Sequence, residues 1–305
     1  LVSAVAVVRS VLGSPDPLSA YTAHGRTYVH LLAGQLRQAR AMESLVERRG
    51  LHDALFYDYW FQNATLALAL LRKRGVIRRC VARAHGFDVY DYRRERWVVP
   101  FRTFKAAWLD RVFAVSEDGA AYLRARLPRE LRDKVTVSRL GVSPREPPRS
   151  RPSRPVVVSA SHMADFKRVH EIPRVLARVT TPLKWIHFGE GPMFRETEER
   201  ARRLPDHVAW ELRGRVAHGR LLDFYREHRV GLFLSLSSTE GIPVSMMEAL
   251  SFGVPVMAPP VGGVAELVNE GTGVLLERDW SPEGVARRLD AALRPGAFDP
   301  DEILS

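Results

Sequence analysis

From Val156 onward the chain alternates short apolar runs with helix-period segments, and few folds accept that pattern. Strands are expected at Val156-Val157-Val158, Leu183 to Phe188, Val208 to Leu212, Val230 to Leu236, Val254 to Val256 and Gly273 to Leu276. Between them, helices are expected around Ile172 to Val179, from Gly189–Pro192 through Arg203, over Leu221 to Glu227, from Pro243 to Gly253, and over Pro282 to Leu293. Regular β-α alternation means a parallel sheet with helices on both faces. The first half repeats the pattern less cleanly. A helix is expected over Tyr28 to Val46 and a strand at Ala54 to Tyr57. A helix follows from Asn63 to Lys73 with Asn63 as its cap, then a strand at Arg78 to Ala84. A helix over Val98 to Leu109 and a strand at Arg111 to Val115 come next. Ser116 caps Glu117 to Leu127, and a strand covers Val135 to Ser138. Residues 1–30 otherwise carry little readable pattern. Between the halves lie five prolines, Pro144, Pro147, Pro148, Pro152 and Pro155. They fit neither a helix interior nor a central strand. The expected organisation is therefore an N-terminal domain over residues 1–143, a linker over 144–155 and a C-terminal domain over 156–305, both domains α/β and doubly wound.

A length of 305 residues suits two domains. The chain is 46% hydrophobic and 27% charged, which is globular composition. Its longest apolar run, Ala64 to Leu71, is far short of the roughly 20 residues that span a bilayer. Leu1 to Val5 lacks the basic flank of a signal peptide, and the absence of a starting Met suggests a piece of a longer chain. The single cysteine, Cys80, allows no intrachain disulfide and fits a reducing compartment. The net charge is +11, and only five of the 46 basic residues are lysine. Such a surface favours anionic partners: nucleotide phosphates or anionic lipid headgroups. Scattered arginines that only solvate the surface are an equal reading. No nucleic-acid motif is present.

One stretch holds the chemistry. After the apolar run ending at Leu236 come Ser238-Thr239-Glu240-Gly241-Ile242-Pro243-Val244, then Glu248-Ala249-Leu250, Gly253-Val254-Pro255-Val256 and Gly262-Gly263. It reads as strand, loop, helix, strand. Pro243 suits a first helical turn and Gly253 a helix stop. Glu248 shares a stripe with Val244 and Phe252, where a carboxylate is costly unless something pairs with it. On local spacing alone it also reads as a solvated helix glutamate.

Ligands of open α/β sheets bind beyond the C-terminal ends of strands. Four loops are expected there: Ser161 to Lys167, Gly189-Glu190-Gly191-Pro192, Gly214-Arg215-Val216 and Glu240 to Val244. Glycine loops that feed helix N-termini suit phosphates, and Lys167 offers a point charge, unless it is merely a solvated lysine. His85, followed by Gly86 and close to Asp88, is either structural or an acid–base group at the end of a strand. There is no full Gly-x-Gly-x-x-Gly, no Walker-type Gly-Lys-Ser/Thr and no cluster with metal-ligand spacing, so neither a nicotinamide cofactor, ATP hydrolysis nor a bound metal is expected.

Taken together, these motifs resemble the GT-B glycosyltransferases of the large family 4 type. The resemblance rests on Glu240-x7-Glu248 with Gly241-Ile242-Pro243, on Gly253-x-Pro255-Val256 and on Gly262-Gly263-x-x-Glu266-Leu267-Val268. Lys167-Arg168-Val169, Phe188-Gly189-Glu190-Gly191-Pro192, Leu212-x-Gly214-x-Val216, His85-Gly86-x-Asp88, Val115-Ser116 and Leu140-Gly141-Val142 fall in matching order. It covers roughly residues 55–290. It implies two Rossmann-like domains facing across a cleft and a retaining, metal-free transfer of a sugar from a nucleotide donor, UDP- or GDP-linked. The acceptor would be a saccharide or lipid-linked molecule in polysaccharide or glycolipid assembly. By the same resemblance Glu240 and the backbone of Gly241, Ile242, Pro243 and Val244 would hold the donor sugar and diphosphate. Glu248 would take the ribose hydroxyls, Lys167 the leaving diphosphate, Val216 the base, and His85 the sugar near its reacting carbon. His162, Gly189 and Gly191 complete the expected donor site. His162 stands where the family usually has arginine or a similar polar group, five positions before the lysine.

The resemblance also implies an opening strand and glycine-rich loop that the sequence before Tyr57 does not show, so the N-terminal domain is expected to be incomplete and turnover poor. The alternative reading is a non-catalytic nucleotide-sugar-binding module. A cytoplasmic location is expected, with an anionic membrane surface, the inner face of the plasma membrane, as a further partner.

Overall fold

The computed structural model describes residues 25–93, 99–146 and 154–304. The chain forms two compact units that divide between Arg139 and Leu140.

In the first unit, α1 (Gly25–Arg49) precedes β1 (Leu55–Asp58), α2 (Asn63–Lys73), β2 (Arg79–Ala84), the short α3 (Gly86–Val89), α4 (Arg102–Trp108), β3 (Arg111–Ala114), α5 (Glu117–Arg126) and β4 (Val135–Val137). The four strands pair in sequence order, all parallel. Helix α2 is buried continuously from Thr65 to Leu71, which is why its sequence is apolar all round. Asn63 is not its cap. The residue before the helix is Gln62, whose side chain makes no capping bond, and Asn63 is already helical. The first turn is anchored through Thr65 instead, whose hydroxyl reaches Asp58 Oδ2 at 2.6 Å and the Trp60 carbonyl at 2.9 Å. The helix expected from Val98 begins only at Arg102, because Phe101 takes a left-handed conformation (φ 55°); Val98 itself lies outside the described residues. Ser116 caps α5 as expected, accepting from the Gly119 N–H at 3.0 Å.

The second unit contains β5 (Val156–Ala160), α6 (Ile172–Leu176), β6 (Leu183–Phe188), α7 (Phe194–Ala201), β7 (Val208–Leu212), α8 (His218–Glu227), β8 (Leu232–Leu234), α9 (Val244–Leu250), β9 (Val256–Ala258), β10 (Gly273–Leu275), α10 (Pro282–Ala292) and α11 (Pro300–Leu304). Its strands run in the order β10-β9-β8-β5-β6-β7, all parallel. Alternate residues feed two cores. Val157, Trp185, Leu232 and Met257 face α6, α7 and α10, whereas Val158, Ile186, Phe233 and Val256 face α8 and α9. Burial on both faces explains why these strands read as unbroken apolar runs.

Residues 140–143 go with this second unit rather than the first, where the sequence had placed them. Close by, the Arg145 N–H donates to the Ser251 carbonyl at 2.7 Å, and its guanidinium lies over the Phe252 ring. Within the expected linker, residues 147–153 lie outside the described residues.

Candidate active site

The order of strands reverses at β5, with β6 on one side and β8 on the other, and the chemistry-bearing loops gather where β5, β8 and β6 end. The loop after β5 carries His162 and Lys167. It is tied to the loop after β8 by two bonds to the Phe166 carbonyl, from the Ser238 N–H at 2.8 Å and the Ser238 hydroxyl at 3.2 Å. That tie brings together two residues 73 positions apart: Lys167 Nζ lies 2.7 and 2.9 Å from the two carboxylate oxygens of Glu240. Glu240 is 5% exposed. A carboxylate taken from water to this depth needs a cation and hydrogen bonds, and Lys167 supplies both. Lys167 is thus engaged, not a free solvated lysine.

Glycines let the surrounding loops touch backbone to backbone. At Gly262 (φ 55°) a Cβ would stand 2.0 Å from the Glu240 carbonyl oxygen, and the next residue, Gly263, donates to the Gly241 carbonyl at 2.6 Å. At Gly189 (φ 144°) a Cβ would stand 1.9 Å from the Ser161 oxygen. Only glycine fits such approaches. Gly189 also bridges to Gly214 (N···O 2.8 Å), so the loop holding Val216 is fixed to the end of β6. Gly191 lies under the exposed ring of His162, and the neighbouring Glu190 carbonyl accepts from the Met163 N–H at 2.8 Å. Val216 is half-buried against the core that holds Phe188 and Phe224.

Pro243 precedes helix α9 in extended conformation rather than lying in its first turn, and Val244 opens the helix 42% exposed. Ile242 packs inward. Gly253 (φ 69°) ends the segment as expected, with Val254 N–H donating back to the Ala249 carbonyl at 3.1 Å.

Glu248 is 8% exposed, so the solvated-glutamate reading does not hold. Its partner is a residue the sequence reading missed. His218 Nε2 donates to Glu248 Oε1 at 2.6 Å. The reading began α8 at Leu221; the structure begins it at His218, and that earlier start places the imidazole against α9. Tyr225, two turns further along α8, has a fully buried hydroxyl without a partner among the described residues. Burial raises its pKa, and the Glu248 charge raises it further, so it stays a neutral phenol.

Beneath the β5 loop sits a buried relay. Trp185 Nε1 donates to Ser159 Oγ at 2.9 Å, so Ser159 turns its own proton to His187 Nδ1 at 2.8 Å. Burial pushes the His187 pKa down to about 4, opposed by the Ser161 carbonyl. The neutral ring fills the space under the first residue of the Lys167 loop.

His85 lies in the first unit, at the end of β2, where it precedes α3. Its Nε2 donates to the Tyr59 carbonyl at 3.1 Å, and its ring packs on Trp60 with centroids 4.3 Å apart. Burial lowers its pKa against that carbonyl bond, and Arg83 lowers it further. The backbone around it is held by Asp88, whose carboxylate accepts from the N–H groups of His85 at 2.7 Å and Phe61 at 2.6 Å. Among the described residues no group of three or more His, Cys, Asp or Glu is placed to hold a metal, and no helix is long and apolar enough to cross a membrane.

The family described as "Glycosyl transferases group 1" matches residues 154–294, which span every loop of the Lys167–Glu240 site. The second unit is a group 1 glycosyltransferase domain. Solved structures of the GT-B fold align with the chain. The lipopolysaccharide outer core galactosyltransferase WaaB in its apo form aligns with a TM-score of 0.70 over 88% of this chain and 74% of that one, at 17% identity. Anabaena Alr3699/HepE in complex with UDP and glucose aligns with a TM-score of 0.63 over 87% of this chain and 74% of that one, at 18% identity. The fold is therefore GT-B, two parallel-sheet α/β units in succession. In sequence, the chain is 29% identical over 258 residues to the putative colanic acid biosynthesis glycosyltransferase WcaL of Escherichia coli K12. That alignment covers 80% of this chain and 62% of WcaL, so the chain spans about three fifths of that relative.

Proposed function

We propose that the protein transfers a sugar from a nucleotide-sugar donor to a saccharide or lipid-linked acceptor in polysaccharide assembly, with retention at the anomeric carbon. The observation that carries this reading is the Lys167–Glu240 pair at the mouth of glycine-built loops. A diphosphate placed there meets a preorganised cation, and the charge that grows as the bond between anomeric carbon and diphosphate oxygen breaks falls next to Lys167. Once shared with the diphosphate, Lys167 leaves a Glu240 oxygen open to a sugar hydroxyl. Glu248, one turn into α9, accepts the ribose hydroxyls, and the Gly214–Val216 loop faces the base. The acceptor hydroxyl attacks on the face the diphosphate leaves, and its proton passes to the departing phosphate oxygen. No metal is needed in this scheme, since Lys167 and the loop N–H groups carry the neutralisation. His85 would meet the sugar from the first unit as a neutral hydrogen-bonding group.

WcaL is named as a putative colanic acid biosynthesis glycosyltransferase, which supports polysaccharide assembly, and HepE is seen in complex with UDP, which makes UDP the first nucleotide to try. The test is a thermal-shift panel of UDP, GDP and their sugars. A ligand at roughly a hundred times its Kd stabilises by about 2.7 kcal/mol. Glu240→Ala should abolish transfer while the UDP shift survives. If the wild-type chain shows the shift but transfers no sugar to any acceptor, it is a binding module; if no nucleotide shifts it, the site is misassigned.

A further inference from the structure

A second cavity, of about 610 Å³, opens beside the Lys167–Glu240 loops, where the loops after β5, β8, β9 and β10 meet. Its lining is rich in donors that have nothing to donate to. Among the described residues, the guanidinium of Arg168 and the indole N–H of Trp280 make no hydrogen bond. Arg278 reaches only the Pro260 carbonyl, at 3.5 Å. Glu171 on the cavity wall is already taken, bound at 2.6 Å by both Arg174 and Arg200. Arg168 and Arg278 therefore face one other carboxylate, the exposed Asp279. Arg168 is also one of two non-glycine residues with positive φ (50°) among the described residues. A left-handed arginine is strained where glycine would not be. Here the unfavourable backbone sets an unpaired cation on the wall of a cavity.

We infer that this cavity is a second anion site, distinct from the Lys167–Glu240 pair, that receives a phosphate-bearing group. Two guanidinia and an indole N–H converge from the loops after β5 and β10, with the Ser238 hydroxyl, bonded to the Phe166 carbonyl at 3.2 Å, beside them. That is more donors than a carboxylate's two oxygens use, and it suits the three or more free oxygens of a phosphate ester or diphosphate. The inference stands on the cavity and does not depend on the glycosyl-transfer reading.

The experiment is calorimetric titration of the whole chain with inorganic pyrophosphate and, separately, with UDP. Three proteins are compared: wild type, Lys167→Gln, and the double variant Arg168→Gly/Arg278→Gln. Glycine at 168 relieves the backbone, so folding is protected while the guanidinium is removed. Pyrophosphate binding should survive in Lys167→Gln and weaken at least roughly tenfold, about 1.4 kcal/mol, in the double variant. UDP affinity should follow the opposite pattern. Pyrophosphate binding that is lost with Lys167→Gln, or unchanged in the double variant, overturns the second site, whatever UDP does. Co-sedimentation with vesicles of phosphatidylcholine with and without phosphatidic acid separates the sources. Retention that fails in the double variant marks a lipid phosphate, and pyrophosphate binding without retention marks a soluble one.

Discussion

His218 Nε2 lies 2.6 Å from Glu248 Oε1, so the imidazole covers the carboxylate that a ribose would use. The carboxylate is nearly buried, whereas the His218 side chain is 66% exposed. A ribose reaching Glu248 must displace or share that bond. His218→Ala is therefore expected to tighten UDP binding several-fold, and Glu248→Gln to weaken it roughly tenfold or more, since hydrogen bonds to charged groups contribute about 1.5–3 kcal/mol. Titration with UDP and with 2′,3′-dideoxy-UDP measures both. The His218 effect should vanish with the dideoxy nucleotide. An equal effect on both ligands rules out competition at the ribose.

Lys167→Met leaves the Glu240 carboxylate buried beside an apolar chain. Removing one partner of a buried pair costs about 3–5 kcal/mol, and the partial exposure of Lys167 argues for the low end. Lys167→Met/Glu240→Gln should be more stable than Lys167→Met alone, because the stranded charge is gone. Urea denaturation of the two variants checks the order. A double variant no more stable than the single one shows that Lys167 does not serve to hold that charge.

Acid should act on the two units in opposite directions. His187 is held neutral by burial, its pKa lowered from 6.5 to about 4. The unfolded chain takes up a proton below pH 6.5 that the folded chain refuses until about 4. The second unit therefore loses stability as pH falls through that window, by up to about 3 kcal/mol. Burial raises the Asp88 pKa from 3.8 to about 6, against the two N–H groups it accepts and the charge of Lys105. The stability it contributes is present in acid and fades as pH rises through about 6. Hydrogen exchange at pH 7 and pH 5 should show protection falling in peptides over β5 and β6 and rising over β2 and α3. His187→Gln should flatten the first trend and Asp88→Asn the second.

Gly262→Ala and Gly214→Ala form a matched pair. Both glycines have φ near 60°, but a Cβ at 262 would meet the Glu240 carbonyl at 2.0 Å, while one at 214 meets nothing within 4 Å. The strain is shared and the collision is not. Gly214→Ala is expected to cost about 1 kcal/mol, and Gly262→Ala about 1–3 kcal/mol more, with loss of UDP binding. Equal melting temperatures for the two variants would show that the β9 loop yields freely.

Much of the second unit is readable along the chain because its determinants are local. Buried parallel strands announce themselves as apolar runs, and the glycines at 189, 191 and 262 mark the places where loops must touch. Glu248 was legible as a misfit on an apolar stripe. Its partner was not, because His218 lies 30 residues away and nothing in its own neighbourhood calls for a carboxylate. The Lys167–Glu240 pair shows the same limit: each residue stands out, but the bond between them spans 73 positions and exists only once β8 lies beside β5. Asn63 misled because a good capping residue loses when Thr65, two residues on, and Asp58 offer a tighter anchor. Phe101 misled because nothing in the composition of residues 99–109 signals a left-handed residue.

The reversal of strand order at β5 also governs how the site comes into being on the ribosome. Strands β5, β6 and β7 emerge consecutively and can pair as they appear, but the other edge of β5 stays bare until residues 232–234 have been made. For that interval the nascent sheet carries an open parallel edge, the kind of surface that recruits chaperones or a neighbouring chain. The Lys167 loop waits through the same interval without its carboxylate. Formation of the Lys167–Glu240 site is thus a late, non-local event, and variants that slow the docking of β8 should lower the yield of folded protein before they alter what that protein can do.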